Sequence, residues 1–195
     1  MTDHQVNVTA EAVELRHLAQ ESATEAQTYL DTVTEVAAGA QQDTAIPVLL
    51  LAISQILLAG ARLGAINDVV PSERFEPDVG PDADIDPVRA GLANLFDGLD
   101  EYADVLDPLT SGEVVEGSLS DDLADVAADL AHGLRHFRGG RVDEALWWWQ
   151  FSYLSTWGLR ATSALRVLQS LIGHLRLDAD PETVADAEFE ALHVE

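Results

Sequence analysis

The chain has 195 residues, enough to bury a sizeable core in one domain, and its 47% hydrophobic content separates it from disordered acidic tails. It carries 35 acidic residues against 10 basic ones, all arginine, for a formal charge of −25, which opposes direct binding to duplex nucleic acid or anionic lipid because both are held by lysine and arginine on phosphate. The absence of cysteine excludes disulfides, thiolate catalysis and cysteine-ligated zinc or iron–sulfur centres.

Residues 1–14 hold no basic stretch followed by an apolar one, so no secretory signal is expected and a cytoplasmic location is. Residues 1–8 read as a frayed end. From Thr9 to Ala38, Leu15, Leu18, Ser22, Ala26, Tyr29, Val33 and Val36 recur at three- and four-residue steps, which predicts a long amphipathic helix. The apolar run from Ile46 to Ala61, interrupted at Ser54-Gln55, is shorter than the roughly 20 residues a membrane span needs. It reads as the buried central helix of a bundle, capped by Asp43 or Thr44 and with Pro47 in its first turn.

Residues 71–86 form an acidic, proline-rich loop. Asp86 caps a third helix that starts at Pro87 and continues through Leu92, Leu95, Phe96, Leu99 and Tyr102 to about Leu106. Residues 107–119 read as a second irregular loop, and Ser120 caps a fourth helix that buries Leu123, Val126, Leu130, Leu134 and Phe137 and stops at Gly139-Gly140. In the fifth helix, Val142 to Leu177, a seam of Trp147, Phe151, Leu154, Gly158, Ala161, Leu165, Leu168, Ile172 and Leu175 follows a seven-residue repeat. Asp180-Pro181 opens a short C-terminal helix ending near His193, with residues 193–195 frayed. No strand signal appears. The expectation is an all-α fold, a single-domain bundle of five long helices plus a short C-terminal helix over residues 1–195.

Asp129-Leu130, Gly133, Gly140, Asp143-Glu144-Ala145-Leu146, Trp149, Phe151, Trp157-Gly158, Ala161 and Ala164-Leu165-Arg166 together resemble a bacterial domain-of-unknown-function family, the one numbered 5063. The resemblance is densest from Ser120 to Leu177 and implies a helical fold without implying an activity. Other members carry histidines beside the Trp-Gly pair; here Thr156 and Arg160 flank it. The stretch Leu134 to Leu146 is also similar to the first-helix region of one tetratricopeptide repeat, a single copy of a unit that works only in stacks.

Asp122, Asp125, Asp129, His132 and His136 line one stripe of the fourth helix. Asp129, His132 and His136 become metal ligands only if another element adds donors, and the fifth helix offers just Asp143 and Glu144 near its start. The stripe is read as a solvated face, and no metal or cofactor is expected. Asp82, Asp84 and Asp86 open with calcium-loop spacing, but Pro87 and Ala93 stand where glycine and glutamate are needed. No nucleophile elbow or phosphate-cradling glycine loop occurs, so no catalytic residue is identified.

Charge and aromaticity are concentrated in one place. Six arginines and two acids lie between His132 and Leu177, a local balance of +4 in a remainder of −29. Arg135, Arg138 and Arg141 crowd the turn between the fourth and fifth helices, either complementing the helix C-terminus or forming an acidic-partner site that the chain's own tail, residues 178–195, could occupy. Trp149, Tyr153, Trp157 and Arg160 form a second line beside the seam, read as buried with the indole N–H groups hydrogen-bonded, and Trp148 is read as the exposed tryptophan.

Three functions emerge as expectations. The first is a non-enzymatic protein-interaction module using the arginine turn and Trp148, with an unnamed protein partner. The second is a small-molecule- or metal-binding bundle using Trp149, Tyr153, Trp157, Arg160 and the Asp/His stripe. The third is an acidic mimic of nucleic acid, drawn from the charge alone.

Overall fold

Helix-forming periodicity dominates the chain, and helices account for 72% of it. A computed structural model describes residues 2–40, 42–71, 73, 75–107 and 109–177, with side chains described from residue 12 onward except at 106 and 107. The C-terminal helix and tail expected after Asp178 lie outside the described residues. In chain order the elements are α1 (Thr2–Ala37), a short 3-10 turn (Gln42–Thr44), α2 (Ala45–Ala65), α3 (Asp86–Leu95), β1 (Glu101–Asp107), β2 (Ser111–Ser118), α4 (Leu119–Arg138), α5 (Val142–Ser152), a π turn (Tyr153–Trp157) and α6 (Gly158–Leu177).

The core is built where periodicity places it. Ala19, Ala26, Tyr29, Val33 and Val36 of α1 are buried against Leu123, Val126, Leu130 and Leu134 of α4 and the inner face of α2. Tyr29 brings its hydroxyl into that core and donates to the Leu123 carbonyl at 3.0 Å, so its polar tip is satisfied. Helix α2 corrects one expectation. Its length and mean hydropathy of 2.0 suffice for a membrane span, yet it packs on α1 and α6 and buries only one side, leaving Leu51 at 65% and Leu58 at 58% exposure.

A two-stranded antiparallel hairpin replaces the end of the predicted third helix and the predicted loop 107–119. Gly98, at φ +77°, takes the left-handed conformation that ends the helical run after Phe96, and the chain re-emerges extended. The hairpin pairs Glu101 with Ser118 and Val105 with Val114. The inward positions of β1 carry polar groups: Asp104 accepts from Ser163 and meets Arg166 at 2.7 Å, while Tyr102 donates to Asp122. The hairpin's outer positions include Val105 and Val114, so the alternation runs opposite to an apolar-in strand.

The cap of α4 sits two residues earlier than expected. Ser118 accepts from the Asp121 amide at 3.2 Å, and Asp100 accepts from the Ser120 amide at 2.7 Å and from the Ser118 hydroxyl at 2.9 Å. At its other end α4 stops at Gly139-Gly140 as expected, with Gly140 at φ +76°.

The π turn redirects the last long helix. An extra residue in the turn rotates every later position about the helix axis, so the seven-residue seam does not stay on one face. Gly158, Ala161 and Leu168 are buried, but Phe151 is 52% and Leu154 59% exposed. The second line is the buried one: Trp149 and Trp157 are at 1% and 0% exposure, and Trp149 donates its indole N–H to the Leu130 carbonyl at 3.2 Å, whereas the Trp157 indole N–H, expected to be hydrogen-bonded, is buried without a partner.

Candidate functional site

The Asp/His stripe of α4 is covered rather than solvated, because α3, α5 and α6 lie over it. Arg89 of α3 meets Asp121 at 2.5 Å and Asp125 at 2.7 Å, and Arg160 of α6 meets Asp125 at 2.9 Å and Asp122 at 3.3 Å. Asp129 accepts from the Thr156 hydroxyl at 2.7 Å. Burial pushes both the Asp122 and the Asp129 carboxyls above the usual carboxylate range, against the hydrogen bonds they accept from Tyr102 and Thr156.

One turn further along, His132 and His136 lie under the loop that joins α2 to α3. Both present Nε2 to the same oxygen of Glu76, at 2.5 Å for His132 and 2.9 Å for His136. His136 is fully buried, and its Nδ1 has no hydrogen-bond partner. The His132 ring is backed by Trp148, with ring centroids 4.0 Å apart, and its Nδ1 lies 2.6 Å from an Arg135 amino nitrogen and 3.3 Å from Asp82 Oδ1. The three ligand-type atoms of Glu76, His132 and His136 lie within 4.8 Å of one another.

The same loop accounts for the arginine turn. Arg135 donates to the Pro81 carbonyl and meets Asp82 at 2.5 Å, and Arg141 donates to the Asp78 carbonyl at 3.3 Å. Arg138 donates to Gln27 of α1. Each of these arginines is thus engaged within the fold, and residues 78–82 occupy the acidic-partner position. Gln150, 4% exposed, fixes where the loop departs from α2, accepting from the Val69 amide at 2.8 Å and donating to the Leu63 carbonyl at 2.9 Å.

Trp148 is half-buried and donates its indole N–H to the Asp129 carbonyl at 2.9 Å, which corrects its reading as the exposed tryptophan. Trp149, Tyr153 and Trp157 pack in the core or against it, with Tyr153 and Trp157 centroids 4.9 Å apart. These three aromatics do not open into a pocket with Arg160, which instead pairs with α4. Of the metal candidates, His132 and His136 come together and Asp129 does not join them. Glu76 takes its place, and the sequence marked it only as one acid of the 71–86 loop.

Acid should loosen the loop selectively. Hydrogen bonds and charge from His132 and His136 overcome the desolvation that opposes them and hold the Glu76 carboxyl below its usual range; Arg135, then His132, does the same for Asp82. A depressed carboxylate pKa contributes stability above the unfolded value, about 4, and loses it as pH falls through the folded value. Asp122 and Asp129 have the opposite sign, and acid relieves their desolvation. In the presence of a chelator, amides 75–82 are therefore expected to lose hydrogen-exchange protection below about pH 4 while α4 and α6 keep theirs. Loss of both in one step would contradict this order.

The solved structure of protein BF1032 from Bacteroides fragilis is similar in fold, with a TM-score of 0.64 and 17% identity over 83% of this chain and 93% of that one. Comparison with curated proteins finds no match. The domain-of-unknown-function model DUF5063 matches residues 13–174, spanning α1, α4 and the aromatic helix with its π turn, and the chain belongs to that family.

Proposed function

We propose that this protein is a metal-binding helical domain that holds a zinc-class divalent transition ion at Glu76, His132 and His136. The observation that carries the reading is the convergence of two imidazoles, one helical turn apart on α4, with a carboxylate delivered by a separate loop. Two nitrogens and one oxygen form a donor set suited to zinc, iron(II), cobalt or nickel and unsuited to calcium or magnesium. Three protein ligands leave coordination positions open.

In the geometry described, each imidazole shares its Nε2 proton with Glu76. A metal on Nε2 would displace that proton and leave each neutral imidazole carrying it on Nδ1, so on His132 the Arg135 amino nitrogen now 2.6 Å from Nδ1 would have to move aside for Asp82 Oδ1, 3.3 Å away, to act as the outer acceptor. Donors on a tetrahedral ion lie roughly 3.3 Å apart, given metal–ligand bonds near 2.0 Å, so the 4.8 Å cluster closes by small rotations of the ligands. Calorimetric titration of chelator-treated protein with zinc is expected to give one saturable site, absent in Glu76→Gln. Equal binding by Glu76→Gln would overturn the assignment.

A non-enzymatic interaction module remains the second reading, supported by a different surface from the arginine turn. Leu51 and Leu58 on the outer face of α2, with Phe151 and Leu154 near the π turn, are large apolar side chains left exposed. Cross-linking from the α2 face should then capture a partner that Leu51→Glu/Leu58→Glu loses and Arg138→Ala retains; capture surviving the double change would end that reading.

A further inference from the structure

The outer face of α2 is apolar where the rest of the chain is charged. Residues 45–65 contain no acid and a single charge, Arg62, in a chain whose formal charge is −25. The inner side of α2 packs on α1 and α6, and Leu51, Ser54, Gln55, Leu58, Ala61 and Arg62 stay exposed along one stripe. Leu51 and Leu58 are its two large apolar side chains, and exposed Leu154 of the π turn lies beside Gly64 and widens the patch. Large apolar side chains grouped on one exposed face mark a surface that another molecule covers.

The order of residues along the stripe selects the occupant. A twofold interface puts the same surface on both partners, so that residue i meets j and j meets i. About a point between Ser54 and Gln55 the stripe reads alike in both directions: Leu51 exchanges with Leu58, Ser54 with Gln55, and Val48 with Ala61. Two α2 helices packed antiparallel about that point set each exposed leucine against the other copy's, with the polar pair at the axis. Charge follows the same symmetry. Arg62 then stands opposite position 47 of the second copy, about 5 Å or one turn from exposed Asp43. Within one chain these two residues lie at opposite ends of α2, roughly 28 Å apart, and cannot pair. Lipid is a poorer occupant, because Gln55, Arg62 and Glu21, which lies 3.9 Å from Arg62, would have to enter it.

We propose that α2 is a self-association surface, through which two copies of this chain form an antiparallel, twofold dimer centred between Ser54 and Gln55. Such a dimer rests on the interaction reading of the α2 face and names its partner; it needs nothing of the metal site. Capture of a different protein by that face, with no second copy, would leave the interaction reading standing and end this one. Two copies of charge −25 repel each other at long range, so the dimer strengthens as added salt screens that repulsion.

Sedimentation equilibrium of the wild type is expected to show a reversible dimer, twice 21.0 kDa, that tightens with salt. Leu51→Glu should weaken it tenfold or more while keeping the circular dichroism of the wild type. Arg62→Glu should weaken it less, and Asp43→Arg in the same chain should restore it, which a pairing within one chain could not do. The chain has no cysteine, so single cysteines report the geometry without background. Under mild oxidation Ser54→Cys, at the axis, is expected to form a disulfide-linked dimer. Leu51→Cys mixed with Leu58→Cys should cross-link far more than either alone, because like positions lie about 10 Å apart along the paired helices. Self-linking of Leu51→Cys in preference to the mixed pair, or a dimer unchanged by Leu51→Glu, would overturn the proposal. So would a wild type that stays monomeric at every salt concentration, the result expected if lipid or the chain's own residues 178–195 cover the face instead.

Discussion

Replacing His136 with asparagine is expected to weaken zinc or cobalt binding by more than about 100-fold, since removing even an outer partner of a ligating histidine costs roughly 10- to 100-fold. His136 is fully buried on α4 and presents Nε2 toward Glu76 at 2.9 Å, so its loss removes one of two nitrogen donors. The same substitution also disturbs the core beneath the loop and should lower the thermal midpoint in metal-free protein. Glu76 belongs to the loop and its side chain is 34% exposed, so Glu76→Gln should lose the metal and loosen the 75–82 loop while leaving the thermal midpoint of metal-free protein nearly unchanged. Loss of binding in both variants, with loss of metal-free stability only in the first, separates ligation from folding. Retained affinity in either variant would contradict the site.

A second large effect is expected at Gly133, where two physical terms oppose each other. In a helix interior, Gly→Ala is favourable by about 1 kcal/mol on propensity. At Gly133 the added methyl would overlap the indole of Trp149, which is 1% exposed and fixed by its bond to the Leu130 carbonyl at 3.2 Å. A fused ring held in a packed core cannot bend away, and overpacking costs roughly 1–3 kcal/mol or more. Packing is expected to win, and Gly133→Ala should lower the thermal midpoint by several degrees. Gly173 of α6 is the control, because a methyl there meets nothing within 4 Å. Gly173→Ala should raise the midpoint by about 2–4 °C. A stabilised Gly133→Ala variant would mean that α4 and α5 pack less closely than described.

Periodicity was a sufficient guide wherever the chain buries one continuous face. Tyr29, Val33 and Val36 on α1, and Leu123, Val126, Leu130 and Leu134 on α4, are buried as their spacing implies. It failed at the π turn because a helix that inserts one residue changes its inward face without changing composition, and so Phe151 and Leu154 kept the spacing of a seam they do not join. It failed again at the hairpin, where Leu95, Leu99 and Tyr102 extend a helical pattern while Gly98 breaks it, and where the inward strand positions are filled by Tyr102 and Asp104.

The candidate site was half legible. Histidines at a four-residue step marked one face of α4, but Glu76 reaches them across 56 positions of sequence through a loop with no periodicity to read. The arginine turn was visible as a charge island. Its occupant, residues 78–82, was hidden because acids in a loop look alike until a structure pairs them.

The most direct test of the central claim is X-ray absorption at the cobalt edge of cobalt-loaded protein. The predicted first shell contains two imidazole nitrogens and at least one carboxylate oxygen, falling to a single imidazole in His132→Asn or His136→Asn. A shell of oxygen alone, or one unchanged by either substitution, would contradict it.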